Sequence, residues 1–162
     1  MAPNDQPRET TANAASGIER RLVVRMLNHW RALAGERPFP SFFDLRPETI
    51  PDMWPYCFVL DVAGHGEDPV IRYAGSEIAR LSPFPLEGRN VSELPGDSLL
   101  ARATNYVETA LARSVPISLG GEFADGEAGV IKYRSILLPM SDDGLAVSGL
   151  LGAFNFRRFH AG

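Results

Sequence analysis

The sequence predicts an α+β fold, in which a five-stranded antiparallel sheet is covered on one face by short helices and preceded by an N-terminal amphipathic helix. Three observations predict it. Five segments rich in β-branched and aromatic residues fall into two groups, and short turn clusters separate the segments within each group. A stretch of short helical pieces lies between the groups and must cover one sheet face. A helix with a single apolar stripe precedes them all.

We expect three regions along the 162 residues. Residues 1–15 mix Pro, Asn, Thr and Ala without periodicity, which predicts a disordered tail. Residues 16–36 hold the amphipathic helix, whose start at Ser16 and Glu19 matches a capping box. Residues 37–159 form the sheet-containing domain.

The first strand pair follows a proline-rich segment. Five prolines between residues 38 and 55 leave room for one short helix, over 48–54. Residues 56–62 and 70–73 are then predicted strands, and the glycine-containing turn between them makes them a hairpin.

In the second half of the chain, short helical pieces and one longer helix again come before the strands. Prolines and glycines divide residues 75–97 into short helical pieces, and Asp97 caps a longer helix that ends near Arg113. Three strands follow and form an antiparallel meander. They are predicted over residues 115–123, 130–139 and 147–156.

Composition excludes several classes of protein. No apolar run approaches the roughly 20 residues of a membrane helix, and the N-terminus lacks the apolar centre of a signal peptide, so we expect a cytoplasmic protein. The single cysteine, Cys57, excludes an internal disulfide and a cysteine-based metal cluster. The net charge of −4 argues against a nucleic-acid partner.

Eight short segments carry a resemblance to a known family. They are LNHWRAL at 27–33, RPFP at 37–40, FDLRP at 43–47, IP at 50–51, CFVLDV at 57–62, IRYAG at 71–75, LEGR at 86–89 and RSILLP at 134–139. Together with the order of elements, they resemble the PAS domain, a sensory and interaction module whose central helices fold over a small-molecule-sized pocket. Over about residues 20–158 the sequence looks like a stand-alone PAS-like family common in alphaproteobacteria. It departs from the family pattern at residues 82–85, where a glycine and polar residues are usual.

A mostly apolar pocket is expected between the sheet and the central helices. In the fourth strand, alternation places Ile131, Tyr133, Ser135 and Leu137 on one face, which we take as the pocket wall. The candidate lining residues are Phe58, Leu60, Tyr73, Ile78, Leu81, Tyr106, Tyr133, Leu137 and Phe154.

The cofactor is left unknown, and the sequence argues against two that PAS domains carry. Haem-binding members usually offer an axial histidine from a central helix, whereas His29, His65 and His160 lie outside that region. Photoactive flavin-binding members resemble one another through a cysteine on a central helix. Here Cys57 is in the first strand, where we expect inert packing, and no metal site is expected.

No catalytic constellation is recognisable, because nucleophile elbows, phosphate-binding loops and dinucleotide-binding turns are absent from the sequence. Asp61 is the best candidate for a general base, and its alternative is a strand-end residue bonded to the following turn. We therefore predict a non-catalytic sensory or adaptor module that binds a small ligand or an unidentified signalling protein and relays a signal through protein contacts.

Two alternative functions stay open. An isomerase- or dehydratase-like enzyme would use a pocket carboxylate as its base, and a buried carboxylate facing an open pocket would favour it. A scaffold with a fully packed interior would have no ligand, and a tiny cavity would favour that one.

The leading helix predicts a homodimer. Its stripe must be buried on the sheet or on a second copy, since each large side chain left in water costs roughly 1.5–3 kcal/mol. We expect the half near Trp30 to pack on the chain's own sheet and the other half to contact a second chain. The candidate interface residues are Ile18, Leu22, Met26 and Trp30.

Overall fold

A computed structural model describes residues 21–62 and 68–160, which form one sheet with helical cover on both faces. The predicted tail, the start of the leading helix with Ile18, and the hairpin turn with His65 lie outside the described residues. The leading helix, α1, is described over residues 21–34. It ends at Gly35, whose φ of 61° reverses the chain at low cost because glycine has no Cβ.

The sheet has the five antiparallel strands that the sequence predicts, in the order β2-β1-β5-β4-β3. The hairpin β1–β2 lies at one side of it, and the meander β3–β4–β5 fills the rest, with β5 joining the two groups. The strands are β1 Cys57–Asp61, β2 Val70–Ala74, β3 Ile117–Ala124, β4 Gly129–Met140 and β5 Gly149–His160.

Three short helices lie between β2 and β3, where one long helix was expected to dominate. They are α2 Ser76–Ala79, α3 Leu99–Ala103 and α4 Val107–Arg113. The longer helix is split because Thr104 leaves helical geometry (φ −116°, ψ 6°) and its hydroxyl donates back to the Leu100 carbonyl at 2.8 Å.

Short 3-10 helices replace the helix expected over residues 48–54. The physical reason is proline: Pro51 disfavours helical geometry at Ile50, so the chain makes a single turn before it and another after it. The 3-10 helices of the structure are Phe42–Asp44, Pro47–Thr49, Trp54–Tyr56 and Val91–Glu93.

The sheet buries both faces. The insert face, named here for the α2–α4 insert that covers it, carries Phe58, Leu60, Leu137, Leu150 and Phe154. The α1 face, covered by α1 and the proline-rich segment, carries Val59, Ile136, Leu138, Leu151 and Ala153. Successive residues of β1, β4 and β5 therefore alternate between two buried surfaces.

Helix α1 packs on the chain's own sheet along its whole described stripe. The indole Nε1 of Trp30 donates to the Pro139 carbonyl at 2.8 Å, and Met26 is fully buried. Leu22 is only 7% exposed, so it packs on the sheet and is not left over for a second chain as expected. The structure thus accounts for the burial of Leu22, Met26 and Trp30 within one copy.

The two edges of the sheet differ. Residues 88–91 run beside β2 and pair with it, through Ile71 N–H to the Arg89 carbonyl at 2.8 Å and Gly88 N–H to the Ile71 carbonyl at 2.8 Å. No described residue forms a strand beside the outer edge of β3.

Candidate ligand-binding site

The predicted pocket residues mostly converge on the insert face. Ile131, Tyr133 and Leu137 are buried on the same side of β4, as alternation predicts. Six of the nine candidates belong to a single buried cluster between the sheet and the inserted helices. They are Phe58, Leu60, Ile78, Tyr106, Leu137 and Phe154.

The cavity on this face is small. Its volume is about 50 Å³, whereas pockets that enclose small organic ligands span roughly 300–1,000 Å³. Only Ile78, Leu81 and Phe154 of the nine candidates line it. The remaining lining comes from the segment at 82–86 and from residues 94–100, which were not among the predicted pocket residues.

Aromatic packing fills the space beneath the helices. Phe58 lies opposite Gly152 in the β1–β5 pairing, and a Cβ at position 152 would clash with the Phe58 ring. The rings of Phe58 and Phe154 lie 6.1 Å apart between centroids, tilted by 53°. Gly152 therefore lets Phe58 lie flat on the sheet, where its ring and that of Phe154 occupy the interior.

One polar pair lies in this interior. The hydroxyls of Tyr106 and Ser135 share a hydrogen bond of 2.8 Å, and both residues are buried. Burial raises the pKa of Tyr106 well above its ordinary value, so the phenol stays neutral. The pair connects α4's N-terminal side to β4 and satisfies both hydroxyls without a ligand.

Three candidates lie elsewhere. Tyr73 is on the α1 face, stacked on Trp54 with ring centroids 4.4 Å apart. Leu81 is 43% exposed at the cavity rim. Tyr133 is buried but packs against the Phe123 ring near β3, away from the cavity lining.

A β-bulge explains the misplaced Tyr73. The β1–β2 register shifts between Val59 and Leu60, so Ala74 and Ile71 both face the insert side although three positions separate them. Strict alternation from Ile71 would have placed Tyr73 on the insert side and Ala74 on the opposite side. The extra residue reverses the phase of the strand, which periodicity alone does not reveal.

Asp61 does not fit the general-base role considered for it. It ends β1, forms an ion pair with Arg72 and does not line the cavity. A carboxylate held by a guanidinium at a strand end is a structural contact, close to the strand-end alternative that the sequence suggested.

Cys57 is fully buried on the α1 face, on the opposite side of the sheet from the cavity. Its Sγ lies 3.8 Å from Met26 Sδ and 3.4 Å from the Met53 carbonyl. Burial raises the pKa of the thiol to about 12, which leaves it protonated and unreactive at neutral pH.

Other chemistry is sparse within residues 21–62 and 68–160. No three His, Cys, Asp or Glu side chains there converge to hold a metal ion. His29 lies on α1, and burial lowers the pKa of its imidazole. None of the helices in this part of the chain is long and apolar enough to cross a membrane.

A wider groove opens between α3 and the β3–β4 turn. Its volume is about 470 Å³, and arginines and aspartates both line it. Arg158 Nε is 3.1 Å from Asp125 Oδ2, and the Arg102 guanidinium stacks 4.0 Å from the centroid of the Phe123 ring. Because both charge signs are present and partly paired, the groove favours no single ligand charge.

Comparison with known proteins finds one matching family and several similar solved structures. The PAS-domain family profile matches residues 19–155. The structure is similar to an RNA-binding light-oxygen-voltage receptor, at 19% identity and a TM-score of 0.45 over 61% of this chain; the match spans only 28% of that receptor. It is also similar to a Rhodobacter sphaeroides LOV protein, at 13% identity and a TM-score of 0.45 over 69% of this chain and 68% of that one. No curated protein matches the sequence.

A five-stranded antiparallel sheet with short inserted helices and an additional leading helix defines a PAS-like domain. The chain belongs to the PAS-domain family, whose profile covers most of its length. Members of this family are in general sensory modules. The alphaproteobacterial origin suggested by the resemblance stays a prediction.

Proposed function

We propose that this chain is a non-catalytic sensory or adaptor module that relays its signal by binding a protein partner in the cytoplasm. The cavity of about 50 Å³ carries this proposal. Space of that size accepts a few water molecules, so the interior does not provide the recognition surface that a larger ligand needs.

The polar groups of the cavity support the same view. The lining contains two polar side chains, both serines. Ser82 Oγ donates to the Phe84 carbonyl at 2.6 Å, and Ser98 Oγ caps α3 by accepting from Ala101 N–H at 3.2 Å. Both hydroxyls serve the local backbone, so no nucleophile or base is poised toward the cavity.

The large cofactors of PAS domains do not fit this packing. Haem and flavin ring systems are each far larger than the cavity, and Phe58 and Phe154 belong to the packed cluster beneath the inserted helices. Binding either cofactor would require this cavity to become much larger. The function we propose therefore places recognition on the outside of the domain.

Native mass spectrometry of protein purified from its own host tests the proposal. The expected spectrum contains whole multiples of the chain's mass, alone or with a protein partner, and the visible absorption spectrum contains no chromophore band. A small organic molecule that is retained in the native spectrum and released on denaturation would contradict it.

The enzyme alternative has its own test. Turnover of a small substrate by the wild-type protein, abolished in a folded Asp61→Asn variant, would replace the adaptor role with catalysis. We expect no turnover, because Asp61 is paired with Arg72 outside the cavity lining.

A further inference from the structure

The outer edge of β3 has none of the usual protection of an edge strand. Natural edges are blunted by proline, lysine, bulges or covering segments. Strand β3 runs for eight residues with an unbroken register on β4, and its only charged residue is Glu122. The opposite edge, β2, is covered by residues 88–91. The chain thus protects one edge and leaves the other open among the described residues.

The backbone groups on this edge can be assigned from the ladder. At the β3–β4 turn, Asp125 N–H donates to the Gly129 carbonyl at 3.1 Å. Hydrogen-bonding direction alternates along an antiparallel strand, so the odd-numbered residues of β3 bond to β4. The N–H and C=O groups of Ser118, Gly120, Glu122 and Ala124 therefore point outward, away from the sheet.

We propose that β3 pairs antiparallel with β3 of a second copy, which joins two five-stranded sheets into one continuous sheet. A row of outward N–H and C=O groups is recognised best by another extended strand. Two-fold symmetry supplies the same unprotected strand from the second copy, in antiparallel orientation. This inference does not depend on the proposed function.

Symmetry restricts the register. With a two-fold axis perpendicular to the sheet, directly opposed residues must face the same side, so their positions share parity. Centring the axis on Gly121 places Leu119 opposite Phe123 of the second copy on the insert side. Leu119 is 38% exposed, and this register covers it with an aromatic ring.

The same register brings opposite charges together on the other side of the sheet. It places Gly120 opposite Glu122 of the second copy. The Arg134 guanidinium lies over Gly120, 3.4 Å from where a Cβ would stand, and its Nε is buried without a hydrogen-bond partner. Among the described residues, neither Arg134 nor Glu122 forms an ion pair with another side chain.

The geometry of neighbouring strands makes this contact reachable. Strands lie about 4.8 Å apart, so Glu122 of the second copy is two strand spacings from the β4 backbone. Glycine at position 120 leaves the space between them open for the two side chains. The pair forms twice in the dimer, which makes it the main determinant of register.

A substitution at Ser118 tests the edge. Proline there removes an outward N–H and no β4 hydrogen bond, whereas Ser118→Ala removes the hydroxyl and keeps the N–H. In analytical ultracentrifugation at roughly tens of micromolar, we expect dimeric wild-type and Ser118→Ala proteins and a monomeric Ser118→Pro protein with unchanged circular dichroism. A monomeric wild type, or a dimeric Ser118→Pro protein, would overturn the proposal.

Charge reversal tests the register. Glu122→Arg and Arg134→Glu should each shift the protein toward monomer, and the double variant should restore the dimer. A double variant no more dimeric than the single variants would overturn this register.

Hydrogen exchange distinguishes pairing of β3 with a second copy from cover of the β3 edge by another segment of the same chain. The amides of Gly120 and Glu122 should be protected at high protein concentration and lose protection on dilution. Protection that persists in a monomer would mean that another segment of the same chain covers the edge, and it would contradict pairing between copies.

Discussion

The two faces of the sheet are covered in different ways. On the α1 face, one continuous helix lies along the strands beside the proline-rich segment, and Trp30 fixes the helix by a hydrogen bond to Pro139. On the insert face, α2, α3 and α4 are short pieces of four, five and seven residues. The small cavity lies where the segments around α2 and α3 meet. Because separate short helices cover this face, a gap remains between them and the sheet. The aromatic rings below the gap determine its volume.

Removing an aromatic ring from the insert face should have the largest effect. Phe58 is fully buried on Gly152, so Phe58→Ala should lower the free energy of unfolding by about 3–5 kcal/mol in urea denaturation. Phe43→Ala is the control, since Phe43 is 79% exposed and should change stability by less than about 0.5 kcal/mol. Equal effects of the two variants would mean that the Phe58 ring is not part of the core.

A charged residue in the apolar stripe of α1 should have the second-largest effect on stability. Leu22→Glu loses the roughly 1.5–3 kcal/mol of burying a leucine and also places a carboxyl against the sheet. Val24→Glu, on the exposed side of α1, should be nearly neutral. If Leu22→Glu dissociates a dimer at unchanged thermal stability, the stripe is an interface between copies instead of intramolecular cover.

Loss of the Trp30 indole hydrogen bond should lower the free energy of unfolding by less than a charge in the α1 stripe does. Trp30→Phe keeps most of the ring packing but removes the donor to the Pro139 carbonyl, at an expected cost of about 1–3 kcal/mol in urea denaturation. Trp54→Phe keeps the stack on Tyr73 and is the matched control, with a smaller expected loss. A larger loss for Trp54→Phe would show that the hydrogen bond does not fix α1.

The hydroxyl pair of the insert face should behave as a unit. Tyr106→Phe and Ser135→Ala each remove one member of this hydrogen bond, at about 1 kcal/mol each, although the Ser135 hydroxyl keeps a 3.5 Å bond to the Leu119 carbonyl. The double variant should cost less than the sum of the two single variants in thermal unfolding. Strict additivity would mean that the two hydroxyls do not bond to each other.

A substitution at Asp143, in the turn between β4 and β5, should have the smallest effect on stability. Backbone N–H groups of Ala146 and Leu145 hold the pKa of Asp143 below its usual value. Its carboxylate therefore stabilises the fold at neutral pH, and that contribution is lost as pH falls through the lowered pKa. The stability difference between wild type and Asp143→Asn should shrink on acidification. A difference that is constant with pH would contradict this.

The sequence predicted the order of helices and strands correctly, because turn residues and alternating apolar residues determine the secondary structure of their own short segment of chain. These patterns were insufficient where the structure depends on a contact with a different element. The phase of Tyr73 depends on a bulge in the β1–β2 pairing. The break at Thr104 is a local exception, because it accompanies the bond from the Thr104 hydroxyl to the Leu100 carbonyl, which apolar periodicity does not reveal. Cavity size depends on Phe58 lying on Gly152, from strands far apart in the chain. Periodicity could select buried residues but could not indicate how completely they fill the interior.

The packed interior is tested most directly by offering it a small apolar probe. In amide ¹H–¹⁵N spectra, benzene should leave the insert-face residues of the wild type unchanged, because the cavity of about 50 Å³ is too small for it. In Phe154→Ala, which enlarges that cavity, benzene should shift the amides around Ile78 and Leu100, as apolar cavities of about 150 Å³ do bind benzene. Benzene-induced shifts of the same amides in the wild type would show that the interior opens to ligands and would contradict the account.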